Sequence, residues 1–335
     1  MDDRRLPPWP HDPLGALLAG GRSVVLDGGL ATELEAGGAD LSDGLWSARL
    51  LAEDPDAIVR AHLAFFRAGA QVATTASYQA TFEGFARRGI DRAAAAALLR
   101  RSVTLAQEAR DTARRERASG GPAPVGDRTP DALPGDDRTL LVAASIGPFG
   151  AYLADGSEYR GRYGLSTAAL RTFHRDRMAT LLEAGPDLLA CETIPELAEG
   201  EALVALLDEL GGTGWLSFTC RDGGHLRSGA PVEEAFAMAA GSARVRAIGV
   251  NCSAPQDAVE LIERAAAVTG TPIVVYPNSG EAWDPATRRW VGRPGTVGAA
   301  AARAWTAAGA RLVGGCCRVS PAQIAEIAGT LRLAA

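Results

Sequence analysis

From Arg22 onward, short apolar runs alternate with longer amphipathic, alanine-rich stretches, and this rhythm constrains the fold more than any single motif does. Apolar runs of this length read as buried strands, and the helical-period stretches between them are the crossovers that parallel strands need. Eight strands are predicted, over 23–26, 71–77, 140–146, 187–192, 215–220, 245–252, 273–277 and 311–317. Helices are predicted over 91–117, 166–183, 232–240, 255–268 and 296–308. An earlier helix carries Ile58, His62, Phe65 and Phe66, with His62 read as a core histidine whose hydrogen bonds are satisfied. A last helix opens at Ser320-Pro321, a cap followed by proline at the first helical position.

With 335 residues, 47% of them hydrophobic, the chain can bury a large core. Eight strand–helix units predict one α/β domain, a single (β/α)8 TIM barrel over 22–335, following a polar N-terminal segment over 1–21. A stretch over 119–138, rich in Gly, Pro and Asp, reads as a flexible surface insertion. A doubly wound open sheet is the competing fold. Against it, no Gly-x-Gly-x-x-Gly turn follows the first strand, and polar strand ends are spread along the whole chain, where only a barrel gathers them.

The composition closes off several chemistries. All 34 basic residues are arginine, which excludes Schiff-base aldolases, pyridoxal-phosphate enzymes and phosphate-loop nucleotidases, since each uses a lysine amine. The four histidines, His11, His62, His174 and His225, lack metal-ligand spacing. A net charge of -6 leaves no basic footprint for nucleic acid, and no run approaches a membrane span. The first ten residues lack the apolar core of a signal peptide, and five cysteines, an odd number, suit a reducing compartment. The cytoplasm is the expected location.

The strand ends carry the chemistry. On a barrel they place Asp27, Thr74 or Thr75 with Ser77, Glu192 with Thr193, Asn251 with Cys252, and Cys316 with Cys317 around one mouth. Adjacent cysteines seldom bond to each other, because the ring they would close strains the disulfide, but they ligate one soft cation readily. Cys252, Cys316 and Cys317 together make a three-thiolate zinc site with its fourth position open. Such a centre carries about one net negative charge and holds an incoming thiol as a nucleophilic thiolate. That favours attack on a cationic methyl donor, a sulfonium or a quaternary ammonium. Asp27 and Glu192 then accept from a substrate ammonium group, backbone at Gly28 and Gly29 can approach a small ligand, and Trp46 offers a ring face to an onium donor.

The segments Leu26-Asp27-Gly28-Gly29, Thr74-Thr75-Ala76-Ser77-Tyr78-Gln79-Ala80, Glu192-Thr193, Gly249-Val250-Asn251-Cys252 and Gly314-Gly315-Cys316-Cys317 resemble the zinc-dependent homocysteine S-methyltransferases, in family order, from about Ser23 to Ala328. The resemblance implies a barrel that binds Zn2+ through Cys252, Cys316 and Cys317 and takes the homocysteine sulfur as fourth ligand. It implies that Asp27, Gly28, Thr75 and Glu192 contact the amino-acid part, with Asn251 beside them. The stretch from Val275 to Glu281, followed by Trp283 and Trp290, looks like the branch that uses S-methylmethionine or S-adenosylmethionine rather than betaine. The expected reaction is methylation of L-homocysteine to L-methionine.

Two other functions remain open to the sequence. Asp27 and Glu192 could be the carboxylate pair of a barrel glycosidase, although that leaves the cysteines idle and aromatic residues are only 6% of the chain. A non-enzymatic zinc or thiol protein explains the cysteines and not the acids. Cys191 and Cys220 read as small buried hydrophobes, Cys191 because alternation turns it away from the face of Glu192.

Overall fold

Parallel strands cannot be joined by tight turns, and here each apolar run is followed by a helix that returns the chain to the same end of the sheet. The computed structural model describes residues 12–41, 46–119, 139–284, 289–291 and 297–333. Its main sheet consists of β1 (Val24–Val25), β2 (Val72–Thr74), β3 (Leu141–Ile146), β4 (Leu188–Ile194), β5 (Gly214–Phe218), β6 (Val245–Asn251), β7 (Ile273–Tyr276) and β8 (Ala310–Val313). The crossovers and the closing helix are α1 (Pro55–Ala68), α2 (Arg92–Ala118), α3 (Thr167–Glu183), α4 (Leu197–Leu210), α5 (Val232–Ala237), α6 (Ala258–Val268), α7 (Ala299–Ala307) and α8 (Pro321–Leu333).

The strands lie in the order β1-β8-β7-β6-β5-β4-β3-β2, every pair parallel. The two ends meet: Leu26 bridges Val72, the Asp27 N–H donates to the Val72 carbonyl at 3.0 Å, and the Gln71 N–H donates to the Val25 carbonyl at 2.7 Å. The sheet is therefore a (β/α)8 barrel and not an open doubly wound sheet.

Alternation along each strand divides the core into two layers. On β4, Leu188 and Ala190 face the barrel interior, while Leu189 and Cys191 pack in the layer between sheet and helices. Cys191 and Cys220 are both in that outer layer, and burial pushes both thiols up to about 12, so they stay protonated. The barrel floor is closed from below. Helix Pro13–Ala19, capped by Asp12 accepting from the Gly15 N–H at 3.0 Å, inserts Leu14 and Leu17 among Val24, Leu141, Leu188 and Leu312. This helix falls inside the polar N-terminal segment expected over 1–21; residues 1–11, and 120–138 of the expected insertion, lie outside the described residues.

Several boundaries differ from the sequence reading. The second strand ends at Thr74 because the chain turns over 75–79, and the fifth ends at Phe218, where Cys220–Asp222 pairs with His225–Leu226 as a rim hairpin. The eighth ends at Val313. A Cβ on Gly314 would stand 2.6 Å from the Leu26 Cβ, and one on Gly315 would stand 2.3 Å from the Val319 side chain, so the paired glycines let the chain leave the sheet across β1. Helix α4 is absent from the sequence reading; its N-cap residue is Glu196, which makes no side-chain cap bond. His62 is fully buried on α1 as expected, yet neither ring nitrogen has a partner, and burial pushes its pKa down to about 4.

Candidate metal and substrate site

The C-terminal ends of β6 and β8 bring three sulfurs together. Cys252 Sγ lies 3.1 Å from Cys316 Sγ and 3.6 Å from Cys317 Sγ, and the last two are 3.9 Å apart. All three cysteines are free thiols, and among the described residues they form the one group of metal-ligating side chains gathered closely enough to hold an ion. Backbone bonds fix the tips. The Cys252 N–H donates to the Tyr276 carbonyl at 3.3 Å, the Cys316 N–H to the Pro277 carbonyl at 2.8 Å, and the Ser279 N–H to the Cys317 carbonyl at 3.0 Å. Cys252 itself is left-handed, at φ +49°, as is Thr193 at φ +61° on the end of β4. Non-glycine residues in that region are strained and persist only where surrounding bonds hold them.

Tetrahedral zinc–sulfur bonds of about 2.3 Å separate the sulfurs by about 3.8 Å, so this spacing fits a thiolate-bound ion. Charge points the same way. Hydrogen bonds from the other two thiols hold Cys252 well below the ordinary thiol range, and its closeness holds Cys316 and Cys317 well above it. Three thiolates cannot coexist here without a cation to offset them.

Two buried carboxylates share the mouth. Glu192 points inward from β4, where Oε1 accepts from the Ser145 hydroxyl and Oε2 accepts from the Tyr276 hydroxyl at 3.0 Å. Beneath it, Tyr276 accepts from Trp215 Nε1 at 2.9 Å and shares a 2.6 Å hydrogen bond with Ser217. Asp27, just past β1, accepts from the Thr74 N–H at 2.7 Å and the Thr74 hydroxyl at 3.1 Å. Burial outweighs these bonds, raising Glu192 to about 7 and Asp27 to about 8, and the charge on Glu192 adds to the rise at Asp27. Each carboxylate oxygen keeps a free lone pair, so a cation between the two acids can be accepted by both.

Other expected site residues are engaged in the framework. Thr75 turns its hydroxyl to Ser77 at 2.7 Å and to the Ser145 N–H at 3.0 Å, so Thr74 is the residue that meets Asp27. The Asn251 amide ties strand ends together: Oδ1 accepts from the Thr193 N–H at 2.7 Å and from Ser217 at 2.8 Å, and Nδ2 donates to the Thr193 hydroxyl at 2.8 Å and reaches Cys316 Sγ at 4.0 Å. Asn251 positions the strand ends that carry Glu192 and Cys252. Gly28 is a packing requirement, since a Cβ there would stand 2.5 Å from the Val319 carbonyl oxygen and 2.8 Å from the Phe65 ring. Trp46 opens helix Trp46–Glu53, and its side chain lies outside the described residues.

The sequence reading did not single out Tyr159. It stands in a short 3₁₀ turn, Ser157–Tyr159, in the β3–α3 loop, with its hydroxyl 3.6 Å from Cys252 Sγ. The polar run around it carries no periodicity or motif that marks it.

A closed (β/α)8 barrel that gathers three thiols and two buried acids at its C-terminal mouth is an enzyme architecture built to bind and activate a small thiol. The chain belongs to the homocysteine S-methyltransferase family, whose family model matches residues 24–331. It is 47% identical over 320 residues to the homocysteine S-methyltransferase of Escherichia coli (strain K12), covering 95% of this chain and 98% of that protein. It is also 47% identical to the homocysteine S-methyltransferase YbgG of Bacillus subtilis (strain 168), covering 92% of this chain and 94% of the relative. The crystal structure of the metallated form of the homocysteine methyltransferase MmuM from Escherichia coli superposes with a TM-score of 0.82 at 45% identity, covering 96% of this chain and 99% of that one. Membership sets aside the glycosidase and non-enzymatic readings and makes the protein a methyltransferase.

Proposed function

We propose that the enzyme transfers a methyl group from a sulfonium donor, S-methylmethionine or S-adenosylmethionine, to the thiol of L-homocysteine, giving L-methionine, with zinc held by Cys252, Cys316 and Cys317. The observation that carries this reading is the cluster of three free thiols, 3.1–3.9 Å apart, at the same mouth as two buried acids. Bound zinc would lower the pKa of the substrate thiol and supply it as a thiolate near neutral pH.

The protein's own groups set the geometry. Asp27 and Glu192 receive the homocysteine ammonium, which offsets the burial that keeps both acids from ionising. Thr74 orients the first, and Ser145 with Tyr276 orients the second. Thr75 and Asn251 lock the strands beneath, and the backbone at Gly28 follows the amino-acid part. The substrate sulfur attacks the methyl carbon in line. A sulfur–carbon bond forms as the donor's sulfonium–carbon bond breaks, the bonding pair stays on the departing sulfur, and the donor leaves as a neutral thioether. The thiol proton has already passed to solvent.

All five cysteines are free, and among the described residues no helix is long and apolar enough to cross a membrane, which supports placing the enzyme in the cytoplasm.

The test is metal content and methionine formation in the wild type and in Cys316→Ser and Cys252→Ala. Wild-type protein is expected to hold one zinc per chain and to make methionine from homocysteine with a sulfonium donor. Both variants are expected to lose metal and activity while keeping the wild-type circular dichroism. Stoichiometric zinc in the triple cysteine variant would sink the assignment.

A further inference from the structure

We propose that Glu158 and Arg227 form a second amino-acid subsite above the metal site, Glu158 receiving the ammonium group and Arg227 the carboxylate of the methyl donor. The inference rests on the sulfonium-donor reading and says how that donor is held.

Its geometry begins at Tyr159, whose hydroxyl touches Cys252 Sγ at 3.6 Å. The Arg227 guanidinium, from the end of the rim hairpin, lies over the Tyr159 ring, 5.4 Å from its centroid. Glu158 precedes Tyr159 in the 3₁₀ turn. Its side chain is half-buried and close enough to Cys252, Tyr78 and Tyr159 for their charges to act on one another, and burial raises its carboxyl to about 7.

Both charged groups are left incomplete. Glu158 Oε2 and Arg227 Nε are buried with no hydrogen-bond partner, and neither residue makes a salt bridge among the described residues. Buried polar atoms without partners are costly, and a ligand group that supplies the missing partner is favoured there. A zwitterion laid across Tyr159 completes both. Homocysteine has its own acids in Asp27 and Glu192, so the zwitterion left to place is the donor. S-methylmethionine and S-adenosylmethionine each carry an ammonium and a carboxylate beside the sulfonium, and the contact of Tyr159 with Cys252 puts this subsite next to the position the acceptor sulfur takes.

The experiment compares Glu158→Gln and Arg227→Gln with wild type, all zinc-loaded, against three donors that lose the recognised groups in turn. S-methylmethionine carries both charges, a dimethylsulfonium propionate carries the carboxylate alone, and trimethylsulfonium carries neither. Affinity is read as KM for turnover, or as competition against S-methylmethionine where turnover is absent. Glu158→Gln is expected to weaken S-methylmethionine roughly 10- to 100-fold, the range for a charged hydrogen bond, and to leave the other two donors within about twofold. Arg227→Gln is expected to weaken S-methylmethionine and the propionate similarly and to spare trimethylsulfonium. Homocysteine KM and metal content are expected to hold in both variants.

Equal losses against all three donors would show that the residues only support the loop, and unchanged S-methylmethionine affinity would show that they do not meet the donor; either result overturns the subsite while the methyl-transfer reading stands. Wild-type enzyme that uses none of the three donors overturns the sulfonium reading, and the subsite with it.

Discussion

At the scale of single residues, the site is a set of charges that burial keeps from forming until a ligand arrives. Asp27 and Glu192 are raised to about 8 and about 7, so in the ligand-free protein near neutrality both acids are substantially protonated. An ammonium group binds only the ionised forms, and its binding releases protons. Each pH unit below its pKa costs an acid about tenfold in affinity, so methionine is expected to bind more tightly as pH rises from 6 to 8 and to level off above that. Methionine is the cleaner probe because it has no thiol proton of its own. Glu192→Gln should remove the part of this rise centred near pH 7; a dissociation constant flat from pH 6 to 8.5 in calorimetry would mean that these acids do not hold the ammonium. The sign for stability is opposite. Between about pH 4, where the unfolded carboxylates ionise, and about pH 8, the folded chain binds more protons than the unfolded one, so ligand-free stability falls as pH rises. The sequence made the acids and thiols legible because each ends an apolar run. It could not reveal that Thr74 orients Asp27, or that the Asn251 amide bonds Thr193 and Ser217, since both depend on which neighbouring strand lies alongside.

At the scale of elements, the β3–α3 loop is held by a buried network behind the barrel wall. Arg177 on α3 donates to the Gly147 carbonyl and to His174 Nδ1, the latter at 2.9 Å, and His174 Nε2 lies 2.7 Å from Glu199 Oε1 on α4. Glu199 also accepts from the Phe149 N–H at 2.6 Å. Because Nδ1 accepts from a guanidinium, the ring carries its proton on Nε2 and donates it to Glu199. Burial keeps His174 neutral, well below its ordinary value, and it raises Glu199 to about 8 while lowering Arg177 to about 10. Removing one member strands the others without water. Glu199→Ala is expected to cost about 3–5 kcal/mol of stability in urea unfolding and to lower activity, because the loop that carries Tyr159 loses its anchor. A loss under 1 kcal/mol would show the network to be dispensable. Helix α4 also shows what the sequence hid. The carboxylate of Glu196, at its N-cap, accepts from the Arg162 N–H in the neighbouring loop instead of capping the helix, so the start of α4 carries none of the usual signals.

At the scale of the whole molecule, the barrel separates chemistry from stability by pole. The C-terminal ends of the strands carry the thiols and acids, and the N-terminal ends rest on helix Pro13–Ala19. Eight apolar runs made the barrel readable in the sequence. Its closure was not, because β1 is two residues long and the seam depends on Leu26 and Gln71. The floor was hidden too, because a seven-residue helix with two buried leucines lies within a stretch that reads as polar. Leu14 is 1% exposed and Leu17 7% exposed, both packed against interior residues that open the strands. Truncating either leaves a cavity that the rigid ring of strands cannot collapse to fill. Leu14→Ala is therefore expected to lower the unfolding free energy by about 2–5 kcal/mol, with Leu17→Ala lower in that range because it is less buried. Both variants should keep metal content and the kcat/KM for homocysteine within about twofold at 25 °C, since Trp215, Tyr276 and the polar column above them lie between the floor and the mouth. Urea midpoints measured beside steady-state rates test this separation. A floor variant that stays folded and metal-loaded but loses homocysteine turnover would show that the interior transmits strain from pole to pole, and that the helix under the barrel helps to set the spacing of the acids above it.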